Sequence, residues 1–166
     1  MKKILLLCAA LACVSPLFAE HPSGKMGVGG IVSSGFGDDG LGGTLGLSLK
    51  LPSMPVFWAA RMEITPNVFG FGASGDVYIV DNPLMRDKNV TLDWIFGVGA
   101  YANIFFSKSS TLFSLGARVP VGLAWYIVPE WELFLDLAPS VGLTTAPLFP
   151  AWGVSAELGL RYWMKK

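Results

Sequence analysis

Charged residues are scarce in this chain: Asp, Glu, Lys and Arg make up 14% of its 166 residues, against about 25% in an ordinary soluble protein. There is one histidine, His21, and there are two cysteines, Cys8 and Cys13. A single His near one end leaves little scope for a His-dependent active site. Both cysteines precede residue 20, so the rest of the chain has no disulfide, thiol nucleophile or Cys metal site. Also missing is an uninterrupted apolar run that could span a bilayer as a helix, which needs about 20 residues. The longest charge-free stretch after the N-terminal region, 137–156, contains Pro139, Pro147, Pro150 and the Thr144-Thr145 pair. Spanning helices are therefore not expected.

What is present is apolar residue and glycine: 52% hydrophobic, with 20 Gly. The N-terminal MKKILLLCAALACVSPLFAE has Lys2 and Lys3 ahead of an apolar stretch, with Ala19 closing a small-residue site. That is the pattern of a secretory signal peptide, residues 1–19, to be excluded from fold reasoning. A rival reading makes it a lipoprotein signal, with Ala10-Leu11-Ala12 before Cys13. Residues 20–166 are then one domain, with ten basic and twelve acidic residues. A net charge of −2 gives no basic footprint for nucleic acid.

The dominant signal is alternation with period two. Through 90–107, Leu92, Trp94, Phe96, Val98, Ala100, Ala102, Ile104 and Phe106 share one face, and Asp93, Ile95, Gly97, Gly99, Tyr101, Asn103 and Phe105 take the other. Eight such segments are expected: 25–36, 41–51, 56–65, 68–80, 90–107, 112–128, 131–143 and 151–164. Between them lie turn-forming pieces such as Pro52-Ser53, Pro66-Asn67, 81–89 and Pro129-Glu130.

Two architectures can use this pattern. In a soluble barrel or sandwich the apolar face turns inward; in a membrane barrel it meets lipid and the smaller, polar face lines the interior. Many segments exceed the roughly 9–11 residues that a tilted membrane strand needs, and their polar faces are rich in Gly and Ser. With the N-terminus on the periplasmic side, Trp58, Trp94, Trp125, Trp131 and Tyr162 fall at one rim. Phe36, Phe69, Phe106, Phe113 and Trp152 fall at the other. Two aromatic girdles are what membrane interfaces select. The expected fold is an all-β, eight-stranded antiparallel up-and-down transmembrane barrel in a bacterial outer membrane. Its partners are then outer-membrane lipid and the assembly machinery of that membrane. A soluble periplasmic barrel with an apolar ligand is the minor alternative.

The later part of the chain also resembles a known family. The run LGARVPVGLAWYIVPEWELFLDLAPSVGL, followed by GVSAELGLRYW, is similar to a small spirochaetal outer-membrane barrel family. The matching residues are Gly116, Arg118, Pro120 and Gly122, then Glu132, Asp136, Ala138 and Pro139, then Gly159, Arg161 and Tyr162. The wider likeness is to OmpW-type eight-strand porin-like proteins, and it implies passage of small, often apolar, solutes. It covers roughly the last fifty residues. The chain departs from the family in ending Tyr162-Trp163-Met164-Lys165-Lys166 rather than on an aromatic, and in its short outer loops.

The inward set expected from the alternation is Arg61, Glu63, Asp76, Asp93, Arg118, Glu132, Asp136, Glu157 and Arg161, with Lys50 near one end. Charges removed from water must be paired, so a salt-bridged plug is one reading and a polar solute track is the other. Arg118 and Asp136 share a face on adjacent strands and are candidates for direct pairing. Glu132 and Asp136, four residues apart on a strand, are separated by about 13 Å, too far for a close catalytic dyad. No enzyme, cofactor or metal is expected. The Gly clusters around Gly27 and Gly40 lack the helix and Lys-Ser/Thr of a phosphate loop. Asn89-Val90-Thr91 matches a glycosylation sequon by chance. Two functions stand: a transport barrel for small solutes, or a non-conducting structural protein of the envelope.

Overall fold

Strands form where the alternation is strongest, and they close into one ring. The structure is a computed structural model that describes residues 25–37, 42–64, 68–87, 90–108, 110–145 and 148–164. Residues 1–19, expected as a signal peptide, and His21 lie outside the described residues. The strands are β1 (Gly27–Gly37), β2 (Gly43–Lys50), β3 (Phe57–Ile64), β4 (Val68–Asp87), β5 (Val90–Ser107), β6 (Thr111–Arg118), β7 (Val121–Val128), β8 (Trp131–Thr145) and β9 (Leu148–Trp163). Each is antiparallel to its neighbours, and β9 pairs with β1 along Gly27↔Trp163 to Gly37↔Gly153. Closure leaves no edge between first and last strand, so backbone groups are satisfied around the circumference.

Nine segments make eight staves. Both β6 and β7 lie between β5 and β8, so the expected strand 112–128 is one stave with a break at Val119-Pro120. The cause is Pro120, which has no N–H to give to the ladder. Flanking bonds keep the stave in place. Val119 N–H donates to the Pro139 carbonyl at 2.9 Å, and Gly97 N–H donates to the Pro120 carbonyl at 2.8 Å.

A second correction concerns 81–89, expected as a separator. Pairing of β4 with β5 continues to Asp87↔Val90, with register shifts between Tyr78 and Val80 and between Pro83 and Met85. Turn-forming residues here are absorbed as bulges, which lodge an extra residue without ending the strand. The result is a long hairpin reaching past Phe57↔Asp76, where the β3–β4 ladder ends.

Barrel dimensions follow from the register. From Gly27 the partners run to Lys50, Phe57, Asp76, Gly99, Arg118, Ser140 and Gly153, and back to Gly37. The circuit returns to β1 ten residues further along. That stagger over eight staves sets a strand tilt of about 40° and a radius of about 8 Å. Such an interior is only wide enough to be filled by side chains.

The two faces are inverted relative to a soluble protein. Val32, Leu45, Leu47, Phe71, Leu115, Leu135, Leu137, Val141 and Leu158 are exposed on the outside. Buried inside are Lys50, Arg61, Arg118, Arg161 and several carboxylates. Lys, Arg, Asp and Glu are almost never fully buried unless paired, so the interior has to be a network.

Candidate functional site

The alternation that turns leucine outward turns every second residue inward, and all nine expected inward residues are buried. Arg61, Glu63, Asp76, Asp93, Arg118, Glu132, Asp136, Glu157 and Arg161 each expose less than a tenth of their surface. They form groups at different heights. "Proximal" here means the rim holding Gly27 and Trp163, and "distal" the rim holding Gly37 and Gly153.

At the proximal end Arg161 of β9 is held on all sides. Its Nη1 donates to Glu132 Oε1 at 2.7 Å, and its Nε and Nη2 donate to Ser48 Oγ at 3.2 and 2.9 Å. The guanidinium lies 4.8 Å from the Phe57 ring centre, 4.5 Å from that of Phe134 and 5.6 Å from that of Trp163. Cations are drawn to the negative face of such rings. The second carboxylate oxygen of Glu132 accepts from Trp163 Nε1–H at 2.6 Å, and Phe57 stacks on Tyr78 at 4.3 Å. Space for these rings comes from glycine. A Cβ on Gly159 would strike the Phe134 ring, so the Gly-x-Arg step on β9 seats an aromatic from β8.

The middle of the barrel holds a charge network contributed by four staves. Glu157 accepts from Arg61 Nη2 at 2.6 Å and from Arg118 Nη1 at 2.8 Å. Arg118 Nε lies 3.2 Å from Asp76 Oδ1, and Arg61 Nη1 donates to Ser74 Oγ at 2.9 Å. The expected pairing of Arg118 with Asp136 is replaced by these contacts. Asp136 is buried in the same region, and its Oδ1 has no hydrogen-bond partner. A tilted barrel brings residues of distant staves together across its axis, which spacing along neighbouring strands does not reveal.

Glu63 and Asp93 stand apart from the network. Glu63 accepts the Gly42 backbone N–H at 3.0 Å, where the chain enters β2. Asp93 lies on the proximal hairpin, opposite Pro83 and Ala124 in register. Distal to the network the lining becomes Ser33, Tyr101, Asn103, Ser140 and Ser155, around a cavity of about 50 Å³ with Arg61, Arg118 and Glu157 in its wall. Proximally, the cavity left beside Asp136 and Phe134 is about 10 Å³. No group of His, Cys, Asp and Glu that could hold a metal occurs among the described residues.

Two inward residues that matter here escape a reading based on charge: Phe57 and Trp163, at 3% and 0% exposure. Their signal was the same alternation, extended two residues past Arg161 and two residues before Ala59.

Outside, the aromatic side chains occupy two bands. Trp131 and Tyr162 are register partners with ring centres 5.1 Å apart, and Trp58, Trp94 and Trp125 are exposed towards the same rim. At the distal end Phe36 meets Trp152 edge-on at 6.2 Å, and Phe69 lies 6.4 Å from Phe106.

No family model matches the chain, and no curated protein matches it. Among solved structures it is similar to the N-terminal β-barrel domain of Pseudomonas aeruginosa OprF, with a TM-score of 0.57 at 14% identity over 84% of this chain and 98% of that one. Weaker overlaps occur with Ail, the attachment invasion locus protein of Yersinia pestis, and with Neisserial surface protein A. Their TM-scores are 0.45 and 0.42, at 14% and 12% identity, over 84% and 83% of this chain and 97% and 95% of theirs. The fold of this chain is thus an antiparallel up-and-down β-barrel, shared with the OprF domain.

Proposed function

We propose that this chain is an integral β-barrel of a bacterial outer membrane whose interior is closed to solutes by its own side chains. The role that follows is structural or interaction-based within the envelope. One observation carries this reading: the faces are inverted, with leucine, valine and phenylalanine outside and arginine–carboxylate pairs inside. In water the outer face would be an apolar patch far larger than soluble monomers tolerate; in hydrocarbon it is the required surface. The aromatic bands suit the two interfaces. Closure is supported by the radius of about 8 Å and by the small size, about 50 and 10 Å³, of two interior cavities lined by described residues. The fold likeness to the OprF domain agrees with a barrel and leaves its task open.

Transport is the second reading. It is favoured by the polar distal cavity and by the resemblance of the last fifty residues to the spirochaetal and OmpW-type barrels. It requires the Arg61–Glu157–Arg118 bridge to part. The two readings separate in liposomes loaded with a graded series of solutes. A closed barrel gives no swelling above protein-free vesicles, and an Arg118→Ala/Asp136→Ala variant, which removes part of the plug, swells them. Swelling by the unaltered chain would establish transport instead. A chain extracted from membranes without detergent would defeat both readings and restore the soluble barrel.

A further inference from the structure

Charge in the middle of the barrel does not balance unless one carboxylate is neutral. Arg61 and Arg118 are matched by Glu157 and Asp76 through three contacts of 2.6 to 3.2 Å. Asp136 is a third acid at this level. It is the direct register partner of Glu157 across β8 and β9, and each is 3% exposed. Like charges directly opposite one another on a sheet face repel. On its other side Asp136 faces Gly122 of β7, which has no side chain to donate. A Cβ there would meet Asp136 Cβ at 2.6 Å.

The remaining charged or titratable groups around it are Arg118 from β6, Asp76 and Tyr78 from β4, Arg61 from β3, and Glu132 and Arg161 from β8 and β9. Arg161 is taken by Glu132 and Ser48. Asp136 Oδ1 is buried without a hydrogen-bond partner. The cavity beside it, about 10 Å³, is at the lower limit for a single water and too small for a hydrated cation. A buried, unpaired carboxylate is strongly disfavoured, and such a group neutralises instead.

We propose that Asp136 carries a proton at neutral pH and that this proton completes the charge balance of the interior network. Removing it sets a second negative charge against Glu157 and draws on the same two arginines, so alkaline conditions loosen the centre of the barrel. A protonated Asp136 requires only the interior packing, not a lipid environment outside. It therefore stands or falls separately from the membrane reading.

Infrared spectroscopy of the refolded full chain in detergent micelles tests this directly. At neutral pH the wild type shows a carboxylic acid C=O stretch, and Asp136→Asn lacks it. A band that survives Asp136→Asn, or no band in the wild type, overturns the proposal. Should the variant not refold, Asp136→Glu in a chain labelled with ¹³C in its aspartate carboxyls decides: the acid band, shifted by the label in the wild type, loses that shift in the variant and fades as pH rises. A band that keeps the shift belongs to another aspartate, one unshifted in the wild type belongs to glutamate, and either overturns the proposal. Stability gives the sign. A native state holding one proton that the unfolded chain releases loses about tenfold in its folding equilibrium per pH unit as pH rises above the ordinary carboxylate range near 4. Comparing urea unfolding of wild type and Asp136→Asn isolates that slope; equal slopes contradict it.

Discussion

On the proximal side of the central network, rings from Phe57, Phe134 and Trp163 pack around Arg161 and leave a cavity of about 10 Å³; on the distal side, hydroxyls and an amide surround one of about 50 Å³. The same alternating pattern builds both ends, and what differs is the residue type on the inward positions. Aromatic side chains over glycine make a dense closure, whereas Ser33, Ser140 and Ser155 are too short to meet across the axis. Among the described residues the denser interior packing is therefore at the proximal end, where Trp163 backbone N–H also donates to the Glu130 carbonyl at 2.7 Å. Stability and permeability are expected to respond differently to changes at the two ends.

The sharpest way to break this contrast is Glu132→Ala. It leaves the buried guanidinium of Arg161 without its Glu132 counter-charge and the Trp163 indole Nε1–H without its Glu132 acceptor, and should cost about 3–5 kcal/mol in urea unfolding of the micelle-bound protein. A loss below 1 kcal/mol would mean that the proximal cluster is not the main closure. Gly159→Ala comes next. Its methyl group competes with the Phe134 ring, an overpacking of about 1–3 kcal/mol, and Phe134→Leu in the same chain should recover part of it. The smallest effect belongs to the distal end. Ser140→Ala removes a 3.3 Å bond to the Gly153 carbonyl beside open space, so its change should stay within about 1 kcal/mol. Comparable losses from Ser140→Ala and Gly159→Ala would erase the distinction between the two ends.

Much of this was legible in the sequence, because a β-strand assigns faces by parity alone. Leu133, Leu135 and Leu137 had to share one face and Glu132 and Asp136 the other, whatever the register. Parity also carried the aromatic bands, as a run of strands of similar length puts equivalent positions at equal heights. Three features were not readable. Pro120 looked like one more residue of a long strand, and only its place between two partners showed that it must interrupt the ladder. The bulges near Tyr78 and Pro83 shift β4 against β5, which composition read as a turn. The partners of Arg118 depend on the ten-residue stagger of the closed ring, a property of all eight staves together. Neighbouring strands suggested Asp136; the tilt delivered Asp76 and Glu157.

An inside-out barrel sealed by its own side chains stands or falls on solute-driven swelling of vesicles in which the full chain resists alkaline carbonate extraction. Such a barrel gives membrane-retained protein with swelling no faster than protein-free vesicles for every solute in the series. Retained protein that speeds swelling with even the smallest solute would contradict it.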